Sequence, residues 1–404
     1  MALSALIAAY AQAEGAGDGL RATLPLAGRT LVEHQARLAR RAGATHIVIL
    51  IERLPATLTA AIDRLRRDGL DVDIARSAAD AADRFHPDER LLFFGDGFVG
   101  DMALIETMAE AEPAALLTVP DGPETTAFER IDALSRWAGL ATIDGAALRK
   151  TAAMLGDWDL QSTLLRRIVQ AGCKRIEAPR DKGAPRIAGG PAALEGIAGK
   201  LVAASRGRAQ SWPARYLFPV IETPLLQPLV RSAVEPLWLS AFGIGLILVG
   251  AVALVMGWLC IGLATLLIAG PVESIAQRLA QIRLASPRHD PVMKGARAGA
   301  SGIALVALCG SLAMGGNWGC WPLGGAILAF SCAMEREETI FRRLAPGPVA
   351  SSPWFARIDG LIWTYLPFAI TGYWRTGLAA LAIYAGASFF MMQRKALEAI
   401  ATRA

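Results

Sequence analysis

The chain has 404 residues, of which 53% are hydrophobic and 19% charged, with a mean hydropathy of +0.38. That balance is too apolar for one ordinary water-soluble domain, and the length allows two or three domains. A net charge of +5 is modest; beside apolar segments such an excess reflects basic loops at a membrane, and nucleic acid is not an expected partner.

The N-terminal residues 2–9, ALSALIAA, read as a buried first strand; no basic residue precedes them, the first being Arg21, so a secretory leader is the weaker reading. A Gly-rich loop, AEGAGDG, follows and contains Gly15 and Gly17. Helical spacing over 30–42 ends at Gly43, and then come a strand at 46–51, a helix at 55–68, a strand at 72–75 and a helix at 78–85. A short strand at 91–94 runs into Gly95, Asp96 and Gly97. Strands alternating with helices predict a mainly parallel sheet covered on both faces, with ligands at the carboxyl ends of its strands. Both Gly-rich turns lie at such ends.

Residues 182–211 are rich in Gly, Ala, Arg and Lys and read as a connector. The segment RYLFPVIETPLLQPLVRSAVEP reads as an amphipathic stretch along a membrane surface. Six hydrophobic stretches follow, near 237–256, 259–275, 298–314, 318–334, 361–373 and 376–392. One set of loops carries Arg278, Arg283, Arg288, Lys294 and Arg297, then Arg336, Arg342, Arg343 and Arg357, while the other set carries Arg375 alone. The positive-inside bias then predicts an inner-membrane, multi-pass protein with its soluble domain and C-terminus in the cytoplasm. The expected division is 1–181, a linker and juxtamembrane segment at 182–235, and six spans in 236–404. The cysteines form no Cys-x-x-Cys or Cys/His pattern, so a zinc site is not expected. Ionisable groups are nearly absent from the spans, which disfavours a transporter.

The segment LRATLPLAGRTLVEHQARLARRAGATHIVIL resembles the start of MobA-like sugar-phosphate nucleotidyltransferases, and FERIDALSRWAGLATIDG and GDWDLQSTLLRR are similar to further parts of them. The resemblance implies a nucleotide-binding loop with Gly15, Gly17 and Arg21, the last where the family has a lysine, and makes Asp96 the metal-binding carboxylate. The family's Thr-Arg pair is missing from the loop.

The second half resembles CDP-alcohol phosphotransferases, whose signature runs Asp-x-x-Asp-Gly-x-x-Ala-Arg and then Gly-x-x-x-Asp-x-x-x-Asp. The matching stretch, GPVESIAQRLAQIRLASPRHDPVMKGARAGA, puts Glu273 at the first Asp, Ala276 at the second, Lys294 at the third and Ala298 at the fourth. Glu273 and Asp290 are its only acids, the candidate catalytic pair, with Glu273 also a candidate metal ligand. Together the halves resemble bifunctional enzymes that make CDP-inositol and transfer inositol phosphate to an alcohol. The expectation is a membrane protein of phospholipid or inositol-phosphate metabolism with reduced or lost catalysis and a binding role. Its expected partners are membrane lipids, a CDP-linked or other nucleotide, and a membrane enzyme or a second copy. The alternative is an active transferase using Mg2+ or Mn2+.

Overall fold

The computed structural model describes residues 2–15, 19–155, 159–180, 183–205, 211–232, 234–285, 290–314, 316, 318–344 and 352–401; the side chains of 195, 204, 290, 342–344 and 399–401 fall outside that description. The chain divides into two compact units, Met1–Leu201 with Arg283–Ala285, and Val202–Ile282 with Ser286–Ala404.

In the first unit the strands are β1 (Leu3–Ala8), β2 (Pro25–Leu26), β3 (Arg29–Thr30), β4 (His46–Leu50), β5 (Val72–Ala75), β6 (Arg90–Phe94), β7 (Phe98–Val99), β8 (Ala115–Pro120), β9 (Glu129–Arg130), β10 (Ser135–Asp144), β11 (Lys174–Glu177) and β12 (Arg186–Ile187). The helices are α1 (Leu31–Arg41), α2 (Ala56–Arg67), α3 (Ala78–Asp83), α4 (Met102–Glu110), α5 (Gly145–Ala152) and α6 (Leu160–Gln170), with α7 (Pro191–Ala204) crossing the unit boundary. The main sheet has the order β11-β8-β10-β6-β1-β4-β5, and β9 pairs with β10. Pairings of β1 with β4 and β6, of β4 with β5 and of β8 with β11 are parallel, whereas β10 runs antiparallel to both β6 and β8. The expected mainly parallel α/β sheet is therefore present.

All six residues of β1 are buried, as a strand covered on both faces requires. Ala5 and Ile7 join one core cluster with residues of α1, α2 and α4, and Leu6 and Ala8 join a second with residues of α3, α5 and α6. The two-residue period of a strand sends alternate side chains to opposite layers. Gly139 breaks the ladder of β10 with β8 at a bulge between Trp137 and Ala141; its φ is +87°, and a Cβ there would lie 2.9 Å from Ile187 Cδ1. Within 182–211, β12 pairs with β7, and Ala188, Leu194 and Ile197 pack with Leu24, Leu26, Leu31 and Val99.

The second unit is helical: α8 (Trp212–Tyr216), α9 (Phe218–Arg231), α10 (Pro236–Val255), α11 (Leu259–Ile282), α12 (Asp290–Ala313), α13 (Cys320–Leu344), α14 (Ile358–Ile370) and α15 (Trp374–Ala401). Among the described residues four helices are long and apolar enough to cross a membrane: α10, α11, α12 from Pro291 and α15 to Glu398. α14 is a shorter apolar helix of 13 residues. α13 is 25 residues long but carries Glu335, Arg336, Glu337 and Glu338 in its second half. α9 buries Phe218, Glu222, Leu226 and Val230 at i, i+4 spacing and exposes Val220, Ile221 and Leu225.

Candidate functional site

In the α/β unit, candidate residues meet at the carboxyl ends of β1 and β6. The Gly-Asp-Gly turn is sterically demanded: a Cβ on Gly95 would lie 2.8 Å from Trp137 Cη2, and one on Gly97, whose φ is +75°, would lie 2.9 Å from the Ala188 carbonyl oxygen. Between them Asp96 is buried. Its Oδ2 accepts hydrogen bonds from the backbone amides of Tyr10 and Ala11, each at 2.7 Å, and its own amide donates to Gln161 Oε1 at 3.2 Å. Oδ1 is buried with no hydrogen-bond partner in good geometry. Burial pushes this carboxyl up to about 6, against the opposing pull of the two amides and the Arg21 guanidinium.

Arg21 therefore does stand in the field of Asp96, and its Nη2 lies 3.8 Å from Glu14 Oε1. Gly15 has φ of +72° with open space around it. Gly17 lies outside the described residues. Residue-level reading missed Tyr10, whose hydroxyl donates to Asp159 Oδ1 at 2.8 Å, and Gln161. Burial, reinforced by Asp159 and Asp96, pushes the Tyr10 phenol well above its ordinary range. Asp159 also accepts from the Ser162 amide and so caps α6; the motif GDWDLQSTLLRR was the signal for both acid and amide.

The amides that follow β1 hold the chain's own carboxylate through Oδ2. A divalent cation needs about six oxygen ligands. Among the described residues no group of three or more His, Cys, Asp or Glu side chains comes together. Asp96 supplies one carboxylate of the kind that Mg2+ uses beside waters and substrate phosphates.

In the helical unit a polar cavity of about 700 Å³ is lined by residues of α8, α9 and α11–α14, including both Glu273 and Lys294. Glu273 is buried and its Oε1 accepts from Gln277 Nε2 at 2.9 Å, one helical turn on. Asp290 begins α12, and its side chain lies outside the described residues. Six other charges of the wall are joined in pairs that the sequence alone did not disclose, while Arg215 and Glu335 line it outside those pairs. Arg278 binds Glu222 and also donates to Ser205 Oγ at 3.3 Å. Arg297 binds Asp359, and Arg357 Nη2 meets both carboxylate oxygens of Glu338 at 3.1 Å. In the sequence Arg278, Arg297 and Arg357 read as topology signals; their pairing with acids of other helices shows only in the structure.

No family model matches the chain, and no curated protein matches it. Among solved structures it is similar to a Bacillus anthracis protein assigned as a glucose-1-phosphate thymidylyltransferase, at 12% identity and a TM-score of 0.38, over 49% of this chain and 94% of that one. It is also similar to the inositol-1-phosphate CTP transferase of T. maritima, at 13% identity and a TM-score of 0.40, with the same coverages. Both likenesses are to the N-terminal half. By its own architecture the chain combines a mainly parallel α/β unit with a helical unit containing several membrane-capable helices.

Proposed function

We propose that this is an inner-membrane protein of phospholipid or inositol-phosphate metabolism, built like the bifunctional enzymes that join a nucleotidyltransferase to a CDP-alcohol phosphotransferase. In this reading its six apolar stretches span, its basic loops, α/β unit and C-terminus face the cytoplasm, and its helical unit binds a phospho-alcohol without transferring it. The polar cavity carries this reading. Metal-assisted transfer needs carboxylates left available to a divalent cation. Here three of the wall's five acids, Glu222, Asp359 and Glu338, are bound to arginines and Glu273 to Gln277, which leaves Glu335 outside these pairs. The sequence has Lys294 and Ala298 where the resembled family has its third and fourth aspartates. In the α/β unit the post-β1 amides are likewise taken by Asp96, which favours nucleotide binding or a docking role over nucleotidyl transfer.

The alternative is an active transferase using Glu273, Asp290 and Asp96 with Mg2+ or Mn2+. One observation favours it: the partner of Glu273 Oε1 is a neutral amide rather than a guanidinium. The deciding experiment incubates the full chain in nanodiscs with a CDP-linked alcohol, Mg2+ or Mn2+ and an alcohol acceptor. The expected result is no turnover above empty nanodiscs. Metal-dependent transfer that Glu273→Ala abolishes would overturn the binding reading and establish the alternative.

A further inference from the structure

We propose that Arg283–Ala285 act as a tie, through which the end of α11 holds the turn that leads to Arg21 in the α/β unit. These three residues belong to the α/β unit although they follow α11 in the chain, where one peptide bond joins Ile282 to Arg283. Arg283 is only 3% exposed, and its Nε donates to the Ala27 carbonyl oxygen at 2.9 Å. Arg37 of α1 is buried as well; its Nη1 donates to the Arg283 carbonyl oxygen at 3.0 Å, and its Nη2 binds Asp68. Arg41 Nη2 donates to the Ala285 carbonyl oxygen at 3.4 Å, and Leu284 packs against the core cluster that α1 shares with β1. A guanidinium is costly to bury without such partners. The tripeptide is therefore built into the unit.

Backbone conformation marks the same place. Among the described residues, Ala27 and Leu284 are the only ones other than glycine with positive φ, +54° and +49°. Side chains rarely adopt that region, and it persists where surrounding contacts over-determine it. The two residues flank the Arg283–Ala27 hydrogen bond: Ala27 supplies the acceptor, and Leu284 directly follows the donor. With Gly28 at +78°, Ala27 forms the two-residue turn between β2 and β3.

From this turn a short path leads to the candidate site. The Leu31 amide, at the start of α1, donates to the Leu24 carbonyl oxygen at 2.9 Å, and the Leu24 amide donates to the Arg21 carbonyl oxygen at 3.1 Å. Arg21 Cδ in turn packs against the Gly-Asp-Gly turn, 3.3 Å from where a Cβ on Gly97 would lie. Releasing Arg283 from Ala27 lets the strained residues relax, and the hairpin and Arg21 relax with them. The state of the α11 end and the placement of Arg21 are thereby coupled, in both directions. The tie stands whether or not the helical unit transfers a phospho-alcohol.

Hydrogen exchange of the full chain in detergent, read by mass spectrometry, tests the tie. Arg283→Met keeps much of the side chain's volume and removes its donors. Exchange over residues 20–31 is expected to rise about tenfold, for the loss of one buried charge-assisted hydrogen bond, while exchange in β4 and β5 stays within about twofold. Unchanged exchange over 20–31 would mean that the turn stands without Arg283, and an equal rise in β4 and β5 would mean a general loss of stability; either result overturns the tie. A second variant inserts Gly-Gly between Ile282 and Arg283, which leaves the tripeptide intact and lengthens only its connection to α11. Exchange over 20–31 should again rise, by about threefold or more, because the tripeptide is then held at a lower effective concentration. Exchange equal to wild type in this variant would show that α11 takes no part, and would overturn the coupling even if Arg283→Met failed to fold.

Discussion

Two buried titratable side chains of the α/β unit, Asp96 and His34, are held away from their ordinary ranges by the same cause and with opposite effects on stability. Burial raises Asp96 to about 6, and burial, followed by the charges of Arg37 and Arg41, lowers His34 to about 4. Folded Asp96 keeps a proton that the unfolded chain loses near 3.8, so its contribution to stability declines as pH rises from about 4 to about 6. Folded His34 refuses a proton that the unfolded chain accepts near 6.5, so its contribution declines as pH falls from 6.5 to about 4. Each effect is worth up to about 3 kcal/mol, and the two nearly cancel. Calorimetry of the full chain should therefore give an Asp96→Asn variant whose α/β unit gains stability between pH 4 and 6.5, and a His34→Leu variant that loses it over the same interval. Wild-type pH dependence in both variants would refute the assignment. Asp96 was legible in the sequence because a carboxylate between glycines after an apolar strand is a local pattern. Tyr10 and Gln161 were not, because they meet it across 86 and 65 residues of chain.

Helices and strands follow from local periodicity, but their contacts depend on residues that sequence periodicity leaves equivalent. α1 shows the electrostatic version: Glu33, three residues beyond Thr30, accepts the Thr30 amide at 2.9 Å and is gripped by Arg64 of α2 at 3.0 and 2.8 Å. The carboxyl is held below its usual range by those bonds despite its burial. In the helical unit α10 and α11 approach through glycines. A Cβ on Gly250 would lie 2.5 Å from Thr265 Oγ1, and one on Gly262 would lie 2.6 Å from Leu254 Cγ. Small residues permit such contact where lipid offers no hydrophobic drive to associate. Gly262→Leu should destabilise this hairpin by about 1–3 kcal/mol through overpacking, whereas Gly245→Leu, with open space around it, should leave the melting temperature in detergent unchanged. Equal effects of the two substitutions would show that the glycines are not what brings the helices together.

For the molecule as a whole, labelling decides between four and six crossings. Four helices suffice by length and hydropathy, while α13 and α14 depend on charged residues being accommodated at one end and on a short helix lying within the bundle. In a background with the five native cysteines replaced by alanine, an impermeant thiol reagent should label Trp318→Cys on intact cells. Thr339→Cys should react only after permeabilisation. Both positions are exposed. The reverse pattern would invert the proposed topology, and labelling of both on intact cells would remove α13 as a crossing.

The sequence by itself determined the two-part architecture, the strand-and-helix alternation, the apolar helices of the second half and the turn that carries Asp96. All of these are set by residues within one or two turns of one another, where periodicity and hydropathy act directly. Only the tertiary structure decided that β10 enters the sheet antiparallel between β6 and β8, that the amides of Tyr10 and Ala11 close on Asp96, and that arginines read as topology pair with acids from other helices around one cavity. Those outcomes are selected by which distant surfaces bury each other and which buried charges find a partner, and neither choice is written in the spacing of neighbouring residues.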